Sequence, residues 1–301
     1  MSGDTHPGRD ARLEKGWWRA CRWLLLRRAS QTGVLALFLA GPWLGIWWLK
    51  GNLSGSRVLD TVTLADPYLV LQSVAARHWP EATALLGAVI VLGFYLFVGG
   101  RVYCSWVCPV NVVTDAAAWL RRRLGIRTTA RLSTRARLWI LLMTLVVAAV
   151  TGSIAWELVN PVSMLHRGLL FGMGLGWSLI LGVFLLDLLV ARRAWCGHLC
   201  PTGAFYGLLG HLAFIRVSAS RREACNDCMD CFAVCPEPQV IRPALKGRGS
   251  ASPVIRSAQC TNCGRCIDVC SREVFEFATR FHQRQRLSPG LPHSKETEVR
   301  S

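Results

Sequence analysis

Eight cysteines fall between Cys225 and Cys270, in two runs that share one spacing. The first is Cys225-Asn-Asp-Cys228-Met-Asp-Cys231-Phe-Ala-Val-Cys235-Pro236. The second is Cys260-Thr-Asn-Cys263-Gly-Arg-Cys266-Ile-Asp-Val-Cys270-Ser271. Both read C-x2-C-x2-C-x3-C, the spacing that ligates cubane iron–sulfur clusters: three thiolates converge from a tight loop, and the fourth reaches the cluster held by the other run. Two 4Fe–4S clusters are therefore expected. One rests on Cys225, Cys228, Cys231 and Cys270, the other on Cys260, Cys263, Cys266 and Cys235. Structural zinc is the competing account, but a zinc site is complete with four ligands and leaves the rest of each run unexplained. Disulfides need an oxidising compartment, which the charge distribution below opposes. Ser271 stands where a proline commonly follows the last cysteine, and a proline there shapes the turn without ligating.

Four further cysteines form two shorter motifs, Cys104-Ser-Trp-Val-Cys108-Pro109 and Cys196-Gly-His-Leu-Cys200-Pro201. The spacing C-x3-C sets two thiols one helical turn apart on one face, and the proline breaks or restarts the helix. Two such pairs could converge as four thiols, to act as a redox-active dithiol, a metal site or an electron relay. The alternative is that small buried cysteines merely pack at helix ends. Duplication favours function. His198 lies inside the second pair where Trp106 lies in the first, and a lone histidine is more often a packing residue than a ligand. Cys21 stands alone and is assigned no role.

The elements that position these motifs are apolar. With 52% hydrophobic residues and 13 Trp, and a mean hydropathy of +0.32, the chain is more apolar than a soluble protein. Runs at Thr32–Leu49, Ala82–Val98, Leu138–Ala155 and Leu169–Val190 are each long enough, or nearly so, to cross a hydrocarbon core of about 30 Å. They hold none of the 35 Lys and Arg residues. The intervening segments hold seven, three, eight, one and sixteen in order, the alternation that the positive-inside rule produces. The net charge of +17 thus reports sidedness and not a nucleic-acid partner. Both termini and the cysteine-rich tail are expected in the cytoplasm of a bacterial inner-membrane, multi-pass protein. The first span is expected to be kept as an anchor, because no small-residue cleavage site follows it.

The membrane part repeats itself. Asp66-Pro67, a span and then Cys104–Pro109 correspond to Asn160-Pro161, a span and then Cys196–Pro201. Each half is a span, an outer loop with Asx-Pro, a second span and a C-x3-C-P motif at the inner face. The expected fold is an α-helical membrane protein: four transmembrane helices as a duplicated hairpin, with a small cytoplasmic α+β ferredoxin-like domain. Its expected parts are a basic amphipathic segment over 1–31 lying on the anionic leaflet, the four-helix domain over 32–215, the dicluster domain over 216–282 and a disordered tail over 283–301. Asp187 is the one formal charge inside the spans, either a proton acceptor or a carboxylate paired with Arg192 and Arg193. Asp66, His78, Glu157 and His166 are expected at the outer face. Asp66, His166 and Asp187 are the candidates for taking protons from a bound quinol, against the plainer account of exposed loop side chains.

Four spans, two C-x3-C-P motifs and a tandem cysteine tail resemble the NapH/MauN family of membrane ferredoxin-type proteins. The stretches Gly99-Gly-Arg-Val-Tyr-Cys-Ser-Trp-Val-Cys-Pro-Val-Asn, Trp195-Cys-Gly-His-Leu-Cys-Pro-Thr-Gly-Ala-Phe-Tyr-Gly and Cys228-Met-Asp-Cys-Phe-Ala-Val-Cys-Pro-Glu-Pro-Gln-Val look like its NapH branch. The resemblance runs from about Ala65 to His282. It implies the membrane component of a quinol dehydrogenase, not a stand-alone enzyme, that feeds a periplasmic nitrate reductase. The partners it implies are the membrane quinone pool, a periplasmic ferredoxin-type (NapG-like) subunit, a multihaem cytochrome and the nitrate reductase. No C-x-x-C-H is present, so the chain has no recognisable c-type haem attachment site. Two other readings stand beside electron transfer: an accessory or maturation role for a periplasmic metalloenzyme, and a redox sensor.

Overall fold

The computed structural model describes residues 7–126, 130, 132–172, 174, 176–247 and 252–281. The tail expected to be disordered lies outside the described residues.

Helix α1 runs over Arg9–Leu44 and bends at Gly16, whose φ of 79° is left-handed. It continues into an antiparallel meander of β1 (Leu49–Gly51), β2 (Gly55–Val58) and β3 (Val62–Ala65). Asp66 then caps α2 (Pro67–Ala75) by accepting the Tyr68 amide, with Pro67 at the first helical position, where its missing N–H costs nothing. Apolar α3 (Ala82–Val98) packs against β3, so closely that a Cβ on Gly87 would lie 2.0 Å from the Thr63 carbonyl oxygen.

The chain passes through a π-helical turn, Tyr103–Val107, into α4 (Val110–Arg123). Then come α5 (Ala136–Thr151), α6 (Ala155–Val159) and α7 (Pro161–Phe171). Asn160 caps α7 just as Asp66 caps α2, accepting the Val162 amide before Pro161. Helix α8 (Gly176–Leu185) leads through one π-helical turn, Leu186–Val190, to another, Trp195–Leu199, and then α9 (Pro201–Leu209). The duplicated motifs therefore fold alike. Each Asx-Pro starts a helix, and each C-x3-C-P is a π turn followed by a proline-led helix.

The tail makes a compact module. Strand β4 (Ile215–Ser218) pairs antiparallel with β5 (Glu276–Thr279), tying the approach to the first cysteine run to the exit from the second. Between them lie α10 (Asp230–Val234), α11 (Ile241–Lys246) and α12 (Arg265–Val269). Val217, Ile241, Val269, Val274 and Phe275 are buried among them.

Two expectations come out differently. The basic N-terminal segment keeps an exposed face, with Trp17 and Trp18 open, but it does not lie free of the cysteine module. Residues 9–31 are the first part of α1 and pack along α12, because Trp23 fills the space over Gly264 and the Trp23 and Leu24 amides donate to the Asp268 carboxylate. The four spans are not four long helices either. Among the described residues no helix is long and apolar enough to cross a membrane. Helix α3 has 17 residues and α5 has 16. The Leu169–Val190 run is broken at Gly172, whose φ is 85°, so α8 keeps only 10 residues. The long α1 covers the first run but carries Arg27 and Arg28. Leu86, Val89, Phe94 and Phe97 of α3, Trp139, Met143 and Val150 of α5, and Leu181 of α8 are nonetheless exposed.

Candidate iron–sulfur and thiol site

The two cysteine runs surround two separate recesses. Cys225, Cys228, Cys231 and Cys270 line one. Cys235, Cys260, Cys263 and Cys266 line the other. Each recess thus takes three thiols from one run and the last thiol of the other. Met229 and Gly264, the residues after the second cysteine of each run, take matching left-handed conformations, with φ of 65° and 70°, and start the short helices α10 and α12. That reversal turns the third cysteine back towards the first two. Among the described residues no three His, Cys, Asp or Glu side chains gather tightly enough to hold one metal ion. A single zinc draws its four thiolates in to about 2.3 Å, whereas a cubane spreads them over four irons. The donors present fit the polynuclear group.

The C-x3-C-P cysteines sit beneath the second recess. In both turns the wide π spacing replaces the α turn expected from i, i+4: the Cys108 amide donates to the Tyr103 carbonyl at 3.0 Å and the Cys200 amide to the Trp195 carbonyl at 2.9 Å. Such turns are uncommon and concentrate at functional sites. Burial raises all four thiols, and neighbouring thiols add to the rise at Cys108, Cys196 and Cys200, which reaches about 11.

The first thiol turn is docked directly on the second cysteine run. Ser105 Oγ donates to the Thr261 carbonyl at 2.7 Å and Trp106 Nε1 to the Asn262 carbonyl at 3.2 Å. Arg101 donates to the Gln259 carbonyl at 2.9 Å, to Glu237 at 3.0 Å and to the Cys196 carbonyl at 3.0 Å. It therefore touches the loop before Cys260, the segment after Cys235 and the second thiol turn together. Arg137 lies 3.7 Å from the same Glu237 carboxylate. Arg192 holds the Cys235 carbonyl at 2.9 Å. From α1, Arg27 Nε and Gln31 Nε2 each donate to the Ser105 carbonyl at 3.0 Å. The backbone is pressed close here: a Cβ on Gly100 would lie 2.1 Å from the Tyr206 carbonyl oxygen.

Beside the thiols is an aromatic cluster with one acid, Asp66, so this residue and the C-x3-C-P turns, expected at opposite faces, meet in the fold. Tyr206 stacks on Tyr103 at 4.9 Å and meets Tyr95 edge-on at 5.0 Å. Its hydroxyl donates to Asp66 at 3.0 Å. Burial raises the Asp66 carboxyl to about 6, against the pull of its Tyr68 and Tyr206 hydrogen bonds.

The other candidates make their own contacts, and Glu157 stays close enough to Asp66 to help raise its carboxyl. Asp187 is buried and unpaired with Arg192 or Arg193; it accepts the Trp195 amide at 3.0 Å and so fixes the start of the second thiol turn. His166 is buried against Phe38 at 5.6 Å, away from Asp66. His78 bonds to the Gly152 carbonyl at 3.0 Å. Glu157 accepts from Ser54 and Asn160, both at 3.2 Å, and from Ser163. Cys21 is buried.

Reading by motif missed Arg101, Glu237 and Tyr206. Their signal is adjacency: Arg101 stands three residues before Cys104, Glu237 follows Cys235-Pro236, and Tyr206 is six residues after Cys200.

Comparison with known proteins agrees with the motifs. A family model described as a 4Fe-4S binding domain (Fer4_5) matches twice, over 82–127 and 173–218. One described as a 4Fe-4S dicluster domain (Fer4_7) matches 224–274. The chain is 52% identical over 274 residues to the ferredoxin-type protein NapH of Haemophilus influenzae, covering 91% of this chain and 96% of that protein. It is 51% identical to NapH of Escherichia coli, covering 91% and 95%. It is 57% identical to the methylamine utilization ferredoxin-type protein MauN of Paracoccus denitrificans, covering 90% and 95%. No solved structure matches.

Proposed function

As the chain belongs to the NapH/MauN family of ferredoxin-type iron–sulfur electron-transfer proteins, we propose that it is a membrane-embedded subunit that oxidises quinol and passes the electrons on towards a periplasmic reductase. The observation that carries this reading is the docking of the first thiol turn on the Cys260–Cys263 loop by Ser105, Trp106 and Arg101.

The two recesses would each hold one 4Fe–4S cluster, with the ligand sets that line them. Bound there, the clusters supply one-electron carriers whose potentials respond to burial and to hydrogen bonds. The chain sets their order. The Cys235, Cys260, Cys263 and Cys266 recess adjoins the thiol turns. The other recess lies farther out, where Cys228 is exposed to a partner subunit that must carry the electrons back across the membrane to the periplasmic side. Oxidation of quinol to quinone releases two electrons and two protons. Asp66 accepts one of the two protons, the other leaving to solvent, and the Tyr206 hydroxyl steadies the carboxylate that must receive it. The two C-x3-C-P turns lie between the quinol side and the inner recess and fill the path that the electrons cross, without themselves changing oxidation state. Asp187 and Arg101 are positioning residues, since they fix the second thiol turn through the Trp195 amide and the Cys196 carbonyl.

Membrane embedding is supported by the exposed apolar side chains around α3, α5 and α8, which in water would form a patch far larger than monomers tolerate, and by the alternating charge. Helices of 17 and 16 residues reach about 24–26 Å. That leaves a few ångströms for flanking residues and local bilayer thinning to absorb.

The NapH relatives point to a nitrate reductase, with a periplasmic ferredoxin-type subunit and a multihaem cytochrome between. Similarity to MauN of at least the same degree favours a second reading, an accessory or maturation role for a periplasmic metalloenzyme. The test is anaerobic addition of a reduced water-soluble quinol analogue to the detergent-purified protein, followed by EPR. Reduction within turnover time, blocked by a quinone-site inhibitor, is expected. Clusters that dithionite reduces but quinol does not would overturn the electron-transfer reading and leave the accessory one.

A further inference from the structure

Between α1, α4 and the cysteine module lies a cleft of about 570 Å³, within the range of roughly 300–1,000 Å³ that ligand sites occupy. Its wall carries seven guanidinium side chains: Arg12, Arg27 and Arg28 from α1, Arg122 and Arg123 from α4, then Arg193 and Arg265. Asp115 is the one carboxylate among its described lining residues, and it is already shared by Arg27, Arg28 and Arg193. Arg265 is held by Asp268 at 3.0 Å. No carboxylate among the described residues pairs with Arg12 or Arg122. Seven cations with only Asp115 and Asp268 paired among them are costly on one concave wall while no further negative group faces them.

The rest of the wall is apolar: Leu24, Leu25, Val112 and Trp119. Trp119 is exposed and takes the Arg123 guanidinium over its ring at 5.5 Å. Trp17 and Trp18 are exposed on the same α1 segment. Exposed tryptophans interleaved with arginines mark the level of the headgroups in a bilayer, and α4 follows directly from the inner end of α3. A free phosphate or nucleotide would use the guanidiniums but not this greasy rim.

We propose that the cleft binds the phosphodiester headgroup of an anionic phospholipid from the inner leaflet, with Arg12, Arg122 and Arg123 contacting the phosphate and Trp119 and Leu25 meeting the start of the acyl chains. The lipid supplies the counter-charge that the protein lacks. This rests on the membrane-embedded reading above.

The test uses the full-length protein carrying its clusters, reconstituted in bilayers of phosphatidylglycerol and phosphatidylcholine and examined by native mass spectrometry after delipidation. The wild type should retain one phosphatidylglycerol and discriminate against phosphatidylcholine. Arg12→Ala with Arg122→Ala should weaken retention roughly thirtyfold, from about 1 kcal/mol per interfacial arginine. Arg12→Lys with Arg122→Lys should restore most of it, which a folding defect would not allow. Equal retention of phosphatidylcholine, or no change in the alanine variant, overturns the proposal. Displacement of the lipid by millimolar inorganic phosphate would also overturn it, in favour of a soluble anion. A protein that stays in solution when membranes are pelleted fails the embedding reading. One that stays in the membrane without headgroup preference fails only this one.

Discussion

The Arg101–Glu237–Arg137 triad joins the cysteine module to the helical bundle, and its charge balance makes an ordered prediction. All three side chains are buried, at 2%, 5% and 5% exposure. Glu237 lies 3.0 Å from Arg101 and 3.7 Å from Arg137, so two cations face one anion. Arg101→Met removes one cation and leaves Glu237 paired with Arg137. It forfeits the charge-assisted bonds to Glu237, Gln259 and Cys196, whose loss costs about 1.5–3 kcal/mol each at most, less where water enters. Glu237→Gln instead leaves two buried guanidiniums facing each other without a counter-charge, which costs about 3–5 kcal/mol. The methionine variant, which gives up three bonds, should therefore lose at least as much stability as the glutamine variant, whose loss comes with almost no change in shape. The assay is the half-life of the iron–sulfur absorbance at fixed temperature in detergent. A loss of about 3 kcal/mol shortens it roughly a hundredfold if the module must undock before the clusters are lost. In both variants quinol-driven reduction should slow while dithionite reduction of the surviving clusters stays complete. A Glu237→Gln protein as durable as the wild type would refute the claim that this carboxylate holds module and bundle together.

Asp66→Asn should cut quinol-driven cluster reduction at least tenfold with iron content unchanged. In the wild type the rate should fall as pH drops through about 6, because a protonated Asp66 can take no proton, and the asparagine variant should lack that limb. The same raised pKa makes the folded state bind the proton more tightly than the unfolded chain at 3.8, so this residue's contribution to stability should rise as pH falls from above 6 towards 4. Cys104→Ser with Cys196→Ser should keep about eight irons per chain but slow reduction by quinol; a fall in iron would make these thiols ligands. Cys225→Ala should leave about four irons that quinol still reduces. Cys260→Ala should leave a similar number that it reduces far more slowly, because the inner centre is then missing; equal rates in the two variants would refute the order.

Motif spacing alone carried the chemistry. C-x2-C-x2-C-x3-C constrains ligand positions locally, since three thiols within seven residues can converge only from one loop. Asx-Pro and C-x3-C-P are likewise local instructions, and the chain obeys them twice. The apolar runs marked where α3 and α5 lie, because a helix with no charges announces itself by composition. What the residues could not declare was which distant pieces meet. The Tyr206–Asp66 contact spans 140 positions and the Arg101–Glu237 pair 136, and no local pattern encodes such a pairing. The first arises where the two repeats pack with a glycine-tight backbone at Gly100 against Tyr206, and the second where the cysteine module docks on the bundle. The same packing turned the basic N-terminal segment from a surface helix into a strut, because Trp23 and Asp268 find each other only once the module is docked. Spacing decided that four cysteines could share a cluster. Tertiary structure decided which of the two recesses adjoins the remaining thiols, and the proposed order of the clusters rests on that.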